Sequence, residues 1–284
     1  MKRVISLVMS LALCMAFTLT GCGKSDEANY KILDEAFATE EYAIGFRKAD
    51  VALCKAVEEA LCELKDNGKL STIDKTWFGE DVSTIDSDNV TNLDVSDNSL
   101  EKIKQNGKFV LGLDDSFPPM GYNDNGEIKG YDIDLAKAVC EILGVELVLQ
   151  PISWTAKENE LNSGNIDCIW NGLSVSDDRK EAMCMSLSYM NNRQVVVTLD
   201  NSGIETPKDL SGKTLVVQGG STAVDALEEN SDIKATLKGG DAIQVDNNVL
   251  ALFDLKNGGS DAVLMDEVVA RYYITNPDKA DVAE

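Results

Sequence analysis

The sequence predicts an α/β protein built from two lobes, each a mostly parallel sheet with helices on both faces. From residue 108 onward, short apolar strands alternate with helices, which is typical of parallel sheets. The chain has 284 residues, enough for two domains with their own cores. Residues 80–98 are rich in Asp, Ser, Thr and Asn, a composition that indicates a solvated linker.

The regular region contains most of the predicted elements. Its predicted strands are residues 108–113, 145–149, 166–170, 194–199, 214–218 and 262–265. A helix at 132–143 ends before Gly144, as helices commonly do. In this architecture ligands bind where strand ends meet helix starts, so those junctions are the places to look for a site.

The segment before the linker has its own strands and helices. Residues 30–33 and 42–46 are predicted strands. Asp50 is the predicted N-cap of an amphipathic helix that ends near Gly68. A second short helix is expected to end at Gly79.

The N-terminus resembles a bacterial lipoprotein signal. A short cationic region and an apolar run lead to Leu19-Thr20-Gly21-Cys22. We expect residues 1–21 to be removed, Cys22 to be lipidated and residues 22–29 to form a tether, which places the protein extracytoplasmically at the outer face of the membrane. The alternative is an uncleaved anchor helix, for which the apolar run is short.

Composition excludes several functions. The net charge is −23, which argues against nucleic acid and anionic lipid as partners. The sequence has no histidine, which excludes Ser-His-Asp and Cys-His catalysis and His-containing metal sites. We therefore expect no metal and no cofactor.

Five cysteines lie beyond the signal and lack CxxC spacing, so they indicate neither a disulfide framework nor a zinc site. They are Cys54, Cys62, Cys140, Cys168 and Cys184. Cys54 and Cys62 would be about 12 Å apart along one helix, too far to bridge each other. We predict that the five thiols are buried as small apolar side chains.

Five motifs occupy predicted strand ends and helix starts. They are residues 113–120 (LDDSFPPM), 130–134 (GYDID), 171–179 (NGLSVSDDR), 218–222 (QGGST) and 261–267 (DAVLMDE). Taken singly, each has an ordinary explanation: Arg179 as a surface ion-pair partner, Asp266 as a helix cap, Phe117 as a core aromatic. Their joint occurrence in this order is a much more specific signal than any one motif alone.

Together with the lipoprotein signal, these motifs resemble the polar amino acid-binding proteins of bacterial ABC importers, the family 3 type of extracellular solute-binding protein. The resemblance covers residues 100–284 in order and residues 30–83 out of order. It implies a two-lobed, periplasmic-binding-protein-like (type II) fold with a hinge. It also implies a monomer that closes on a polar L-amino acid and docks on an ABC permease.

The resemblance also implies roles for the charged and polar candidates. Arg179 would bind the ligand α-carboxylate through its planar fork, with Ser174 and the backbone N–H of Thr222 as further donors. Asp266 would pair with the α-ammonium, helped by groups near Asn171 and Gly172.

The remaining candidates concern the ligand side chain. Phe117 and Trp154 would clamp it between apolar faces. Relatives that recognise a cationic or amide side chain carry an acidic residue at the position of Asp114. Gln218 is the last of the predicted ligand-binding residues. Met120 replaces the aromatic residue usual after Pro-Pro, so the pocket floor is expected to differ.

The order of the segments predicts a circular permutation. In the family, the segment resembling 30–83 closes the chain, whereas here it comes first. We expect lobe II to comprise 30–41 and 197–284, lobe I to comprise 42–83 and 99–196, and residues 84–98 to join the ancestral termini. Residues 35–42 and 195–199 are the predicted crossings between lobes. The alternative is that 30–83 forms a separate appendage.

Two other functions remain open from sequence. The first is an enzyme on the same fold that dehydrates prephenate or arogenate, with Glu160 or Asp114 as its acid. The second is an amino acid receptor that no longer serves transport.

Overall fold

A computed structural model describes residues 29–90, 94–276 and 279. The predicted signal, Cys22, the tether up to residue 28 and linker residues 91–93 lie outside the described residues. Within the described part, none of the helices is both long and apolar enough to cross a membrane.

The secondary structure has the predicted α/β composition. The strands are β1 Tyr30–Ile32, β2 Ala38–Arg47, β3 Lys108–Leu113, β4 Ser116–Phe117, β5 Gly121–Asp124, β6 Glu127–Lys129, β7 Glu146–Pro151, β8 Cys168–Ser174, β9 Met183–Met185, β10 Met190–Leu199, β11 Leu215–Gln218, β12 Ile243–Val245 and β13 Ala262–Asp266. The helices are α1 Val51–Asp66, α2 Lys69–Phe78, α3 Ser99–Asn106, α4 Tyr131–Leu143, α5 Lys157–Asn162, α6 Asp177–Ala182, α7 Thr222–Glu229, α8 Ser231–Lys234, α9 Asn248–Lys256 and α10 Glu267–Thr275.

One large mixed sheet organises the molecule, in the order β12-β11-β13-β10-β2-β8-β3-β7. The pairs at its two sides are parallel, β3 with β7 and β8, and β11 with β12 and β13. The pairs made by β10 and β2 are antiparallel. The predicted α/β class is therefore confirmed, and β4, β5 and β6 add a small separate sheet that the sequence did not predict.

The two long central strands connect the sides of the sheet. Each of β2 and β10 spans ten residues. They pair from Tyr42 opposite Met190 to Ala38 opposite Gln194. Beyond this paired region β10 continues along β13, and β2 continues along β8. The two strands together therefore join the two sides of the sheet, β10 through β13 and β2 through β8.

Residues 30–83 pack into the cores of both sides. Leu53 and Tyr42 belong to the largest buried cluster, together with Leu111 of β3. Leu33 belongs to a second cluster with Val196 and other residues on the β11 and β13 side. The segment therefore shares its apolar surface with the regular region, which is how buried area stabilises a fold.

The start of α1 corrects one expectation. Asp50 occupies the N-cap position, but its side chain makes no capping hydrogen bond and instead pairs with Arg47 at 2.6 Å. The cap comes from Asp97, whose Oδ2 accepts from the backbone N–H of Ala52 at 2.9 Å. The prediction that the Asp50 side chain caps α1 is wrong, because a residue distant in sequence supplies the acceptor.

The predicted linker is less solvated than its composition suggests. Ile85 is 3% exposed and belongs to the largest apolar cluster. Its carbonyl accepts a hydrogen bond from Lys65 Nζ at 2.5 Å. This part of the stretch therefore packs on α1, although most of its other described residues are exposed.

Candidate functional site

Eight of the ten candidate ligand-binding residues line one small cavity between the two sides of the sheet. The cavity is nearly closed, with a volume of about 10 Å³, roughly the space of one water molecule. The eight are Phe117, Trp154, Gly172, Ser174, Arg179, Gln218, Thr222 and Asp266, and Ser221 joins them. The cavity lies at strand ends and helix starts, as expected of this architecture.

One end of the cavity carries a buried cation. β8 ends at Ser174, and α6 begins after Ser176, whose hydroxyl accepts from Arg179 N–H. This local turn directs the Arg179 side chain inward, where it is 8% exposed. Its Nη1 donates to Ser174 O at 2.7 Å and its Nη2 to Gly220 O at 3.3 Å. Burial lowers the pKa of Arg179, but a guanidinium stays charged at neutral pH.

A helix start lies at the same end. Gly220 has φ +72°, a left-handed conformation that glycine adopts without steric cost. The turn brings Ser221 to the N-cap of α7, so Thr222 is the first helical residue. The backbone N–H of a first helical residue has no acceptor within its helix and attracts anions. This end therefore offers donors and positive charge.

A buried acid also lines the cavity. Asp266 ends β13, occupies the N-cap position of α10 without a side-chain capping hydrogen bond, and is 4% exposed. Its Oδ1 accepts from Tyr42 OH at 2.8 Å and from Asn192 Nδ2 at 2.7 Å. Burial, and then the charge of Glu40, raise the pKa of Asp266 to about 7.

Glu40 is a neighbour of the site that the sequence analysis missed. Its Oε2 accepts from Ser174 Oγ at 2.8 Å, Gln194 Nε2 at 3.1 Å and Asn192 Nδ2 at 3.2 Å. The signal that could have found it is strand periodicity, since Glu40 shares a face of β2 with Tyr42. The Ser174 hydroxyl donates its single proton to Glu40 in this arrangement. Towards a ligand, Ser174 Oγ can therefore act only as a hydrogen-bond acceptor.

Two amide oxygens extend the acceptor-rich end. Asn192 Oδ1 and Gln194 Oε1 are buried and, among the described residues, have no hydrogen-bond partner. Buried acceptors are normally satisfied, so their presence beside two carboxylates indicates a place for a donor group. A cationic ammonium with three donors fits this chemistry.

Aromatic rings form the walls between the two ends. Gly172 has φ +58°, and a Cβ built there would lie 2.7 Å from Phe117 Cε1, so the glycine permits the close approach of the ring. Trp154 is 6% exposed, and Lys157 Nζ lies 5.1 Å from its ring centroid. The walls are thus apolar faces held in fixed positions.

Two predicted site residues, Asp114 and Asn171, lie beside the cavity without lining it. Asp114 Oδ2 accepts from Gln218 Nε2 at 2.7 Å, and its Oδ1 accepts from Ser116 N–H at 2.9 Å. Asn171 Oδ1 accepts from the N–H of Asp114 at 3.1 Å. Burial raises the pKa of Asp114.

Glu160, the other acid considered for an enzyme, is held by Asn165 Nδ2 at 2.7 Å and is not among the residues that line the cavity.

Asp132, in the GYDID motif, positions the Gly172 turn. Its Oδ2 accepts from Gly172 N–H at 2.8 Å and from Tyr189 OH at 3.0 Å. The side chain is fully buried, and burial raises its pKa to about 7. Asp132 thus has a positioning role that the GYDID motif alone did not predict.

A small cavity lined by a buried cation, a buried acid and aromatic rings, between two halves of a sheet, is characteristic of a site for a small polar molecule. Comparison with known proteins agrees. Residues 109–271 match the family model of bacterial extracellular solute-binding proteins, family 3, and the chain belongs to this family.

Three relatives illustrate the family. The L-cystine-binding protein TcyJ of Escherichia coli is 32% identical over 174 residues, which are 60% of this chain and 63% of that protein. The chain thus spans less than two thirds of this relative's length. An ABC uptake transporter substrate binding protein from Streptococcus pneumoniae, solved with bound histidine, has 43% identity and a TM-score of 0.63 over 65% of this chain and 76% of that one. The ancestral amino acid-binding protein AncCDT-1, a precursor of cyclohexadienyl dehydratase, has 29% identity and a TM-score of 0.58 over 63% and 78%.

Proposed function

We propose that this protein captures a polar L-amino acid between its two lobes and delivers it to an ABC importer. The observation that carries the proposal is the pair of opposite buried charges in the cavity lining, the guanidinium of Arg179 and the carboxyl group of Asp266. An amino acid zwitterion has the complementary charges. A planar guanidinium binds a carboxylate through two parallel hydrogen bonds, and a carboxylate binds an ammonium.

Delivery would depend on closure of the lobes. Gln218 donates to Asp114, and Lys157 Nζ and Arg179 Nη2 donate to Gly220 O, so hydrogen bonds already cross between the two sides. A ligand that touches both sides adds to these contacts and favours the closed form, which the permease recognises. We further propose that the protein acts as a monomer outside the cytoplasm, anchored through a lipid on Cys22.

The ligand class follows from Asp114. A buried acid beside aromatic walls favours a ligand side chain with donors, such as glutamine, arginine, lysine, ornithine or histidine, over glutamate or aspartate. In this arrangement Asp114 accepts from Gln218, so a ligand donor would replace that amide or share the carboxylate with it. TcyJ is named for cystine and the Streptococcus pneumoniae protein holds histidine, both polar amino acids.

Thermal-shift and calorimetric screening against the twenty amino acids, cystine and ornithine tests the function. A ligand at one hundred times its Kd stabilises the folded protein by about 2.7 kcal/mol, which raises the Tm by several degrees. We expect a response to at least one polar amino acid. Absence of any response would refute amino acid binding, and tight binding of glutamate without a response to basic or amide ligands would refute the role of Asp114.

A dehydratase is the second candidate, supported by the likeness to AncCDT-1. It requires an acid aimed at a leaving hydroxyl, and Glu160 lies outside the cavity lining. Turnover of prephenate or arogenate by the purified protein, lost in Asp114→Asn, would favour the enzyme over the binding protein.

We also propose that the chain is circularly permuted within its family. The position of β2 between β10 and β8 supports this, because an appended N-terminal segment has no need to occupy the centre of the main sheet. A rearranged chain in which residues 29–90 follow residues 94–284 should fold and bind the same ligand, because sheet pairing depends on contacts and not on chain order. An unfolded or inactive rearranged chain would contradict the proposal.

A further inference from the structure

One lysine is buried at the boundary between the two sides of the sheet. Lys157 is the first residue of α5, and its side chain is 3% exposed. It follows β7 on one side, whereas the turn formed by residues 219–221 follows β11 on the other side. A Cβ built at Gly220 would lie 3.4 Å from Thr155 Cα and 3.5 Å from Lys157 Nζ, so the turn lies directly against this lysine. Lysine is almost never buried unless it has partners, so its contacts here are informative.

The ammonium group of Lys157 has an acceptor for each of its three donors. Its Nζ donates to the carbonyl of Gly220 at 2.9 Å and to the carbonyl of Trp154 at 3.2 Å. It pairs with Glu158 Oε1 at 3.1 Å. It also lies 5.1 Å from the centroid of the Trp154 ring, which is within range of a cation–π interaction. Because an ammonium has three donors, Lys157 has none left for a ligand in this arrangement.

Arg179 and Lys157 share one acceptor, the carbonyl of Gly220. Arg179 Nη2 donates to it at 3.3 Å, whereas Lys157 Nζ donates to it at 2.9 Å. Burial, and then the charge of Arg179, lower the pKa of Lys157, so the two cations stand close enough to repel each other. Because Lys157 makes the shorter bond, Arg179 can turn this N–H towards a ligand carboxylate without leaving the carbonyl unpaired.

We propose that Lys157 is a positioning residue of the binding site, whose ammonium holds the turn of residues 219–221 against the Trp154 wall. It thereby keeps the start of α7 in place for the ligand carboxylate, a role that rests on the proposed function because the backbone N–H of Thr222 is a donor proposed for that carboxylate. The hydrogen bond to Gly220 crosses between the two sides, so it forms only while they are together. Contacts that form after encounter act mainly on the dissociation rate.

The test compares Lys157→Met with the unsubstituted full-length protein by stopped-flow fluorescence, with L-arginine, L-glutamine and L-histidine as probes. Methionine is unbranched and apolar, and it removes the charge and the donors. We expect dissociation to be roughly 5-fold to 50-fold faster, with an association rate within about twofold. A role in stability alone would lower the Tm and leave the dissociation rate unchanged. Lys157→Gln keeps N–H donors and should recover part of the loss.

Lys137→Met is the control for the loss of a lysine charge. Lys137 is a half-exposed lysine of α4 that pairs with Asp134 at 3.4 Å. Its substitution should leave both rate constants unchanged. Equal dissociation rates for Lys157→Met and the unsubstituted protein would overturn the proposal. Equal acceleration in the two methionine variants would assign the effect to net charge and would overturn it as well.

Hydrogen–deuterium exchange without any ligand tests the role of Lys157 separately from the proposed function. The amides of residues 219–224 should exchange roughly threefold or more faster in Lys157→Met, and those of β3 should be unchanged. Unchanged exchange at the turn would overturn the proposal even if no amino acid binds, and so would faster exchange throughout the protein. If Lys157→Met fails to fold, Lys157→Gln replaces it. Failure of both variants to fold would show that Lys157 supports the fold and not the site alone.

Discussion

The two buried charges of the cavity lining are held in different ways. Arg179 donates to neutral backbone carbonyls, and a second cation, Lys157, donates to the same carbonyl of Gly220. Asp266 shares its end with Glu40, so two carboxyl groups compete for the same donors, Asn192 among them. The difference teaches that the guanidinium of Arg179 stays charged over the physiological pH range, whereas the carboxyl group of Asp266 titrates within it. The pH dependence of ammonium binding should therefore originate at Asp266.

Removal of the cationic end should have the largest effect. Arg179→Ala should leave a folded protein that binds its amino acid roughly 30-fold to 5,000-fold more weakly, because a desolvated ligand carboxylate loses its charged partner. Calorimetry gives the change in Kd, and circular dichroism verifies the fold.

Arg271 provides the matched control for Arg179. It is an exposed arginine on α10 that pairs with Glu267 at 2.6 Å. Arg271→Ala should leave Kd unchanged. Equal Kd values for Arg179→Ala and the unsubstituted protein would show that Arg179 does not bind the ligand.

Substitution at the acidic end should have a large effect that depends on pH. For a ligand whose side chain does not titrate, binding should weaken by roughly tenfold per pH unit below about 7, because protonation of Asp266 removes the partner of the ammonium. Asp266→Asn should bind weakly at pH 8 and lose this pH dependence. A wild-type Kd that is constant between pH 5.5 and 8 would show that Asp266 does not carry the interaction.

Removal of the second carboxylate should have a smaller effect. Glu40→Gln should weaken binding at pH 8 by roughly threefold to tenfold through the lost attraction for the ammonium. It should also move the pH midpoint downward, since the charge of Glu40 raises the pKa of Asp266.

The neighbouring Glu41 is the control for Glu40. It is exposed and accepts from Ser188 Oγ. Glu41→Gln should change neither Kd nor the pH midpoint of binding. If the midpoint fell by a similar amount in both variants, the cause would be the net charge of the protein and not the position of Glu40.

The smallest expected effect concerns the ligand-free protein. Asp132 and Asp266 both have a pKa of about 7 in the folded protein, above the ordinary value near 4. The stability they contribute is therefore complete below about pH 4 and is lost as pH rises through about 7. The Tm should fall by a few degrees between pH 5 and pH 8. Asp132→Asn keeps an acceptor for the N–H of Gly172, and its Tm should fall less over this pH range. An equal fall in Tm would show that a group other than Asp132 causes it.

Local patterns were sufficient to predict the regular part of the fold. Six strands of the region after the linker were predicted from short apolar runs, and all six are present. Four of them agree with the expected bounds within two residues, whereas β8 ends four residues later and β10 begins four residues earlier than predicted. The small β4-β5-β6 sheet was missed because its strands have two to four residues in a segment interrupted by Pro118, Pro119 and Gly121. Such short strands carry no measurable alternation.

The site was predicted as a set of motifs, but its hydrogen bonds were not. Eight predicted residues meet at one cavity. Strand periodicity indicates the face of β2 on which Glu40 lies, but its hydrogen bond with Ser174, 134 residues away, could not be predicted from neighbouring residues. The Asp97 cap of α1 was missed for the same reason, at a separation of 45 residues. Contacts of this kind arise from tertiary structure, and no window of neighbouring residues contains them.

The central position of β2 has a consequence for the time course of folding. The ribosome produces β2 early, yet its sheet neighbours β8 and β10 come much later, and Tyr42 meets Asp266 across 224 residues. Until those partners exist, the apolar half of the strand, from Tyr42 to Phe46, has no sheet to join. Long-range pairing of this type makes folding slow, and the central part of the sheet can form only after most of the chain has been synthesised. This delay suits the proposed location outside the cytoplasm, because an exported chain crosses the membrane before it folds.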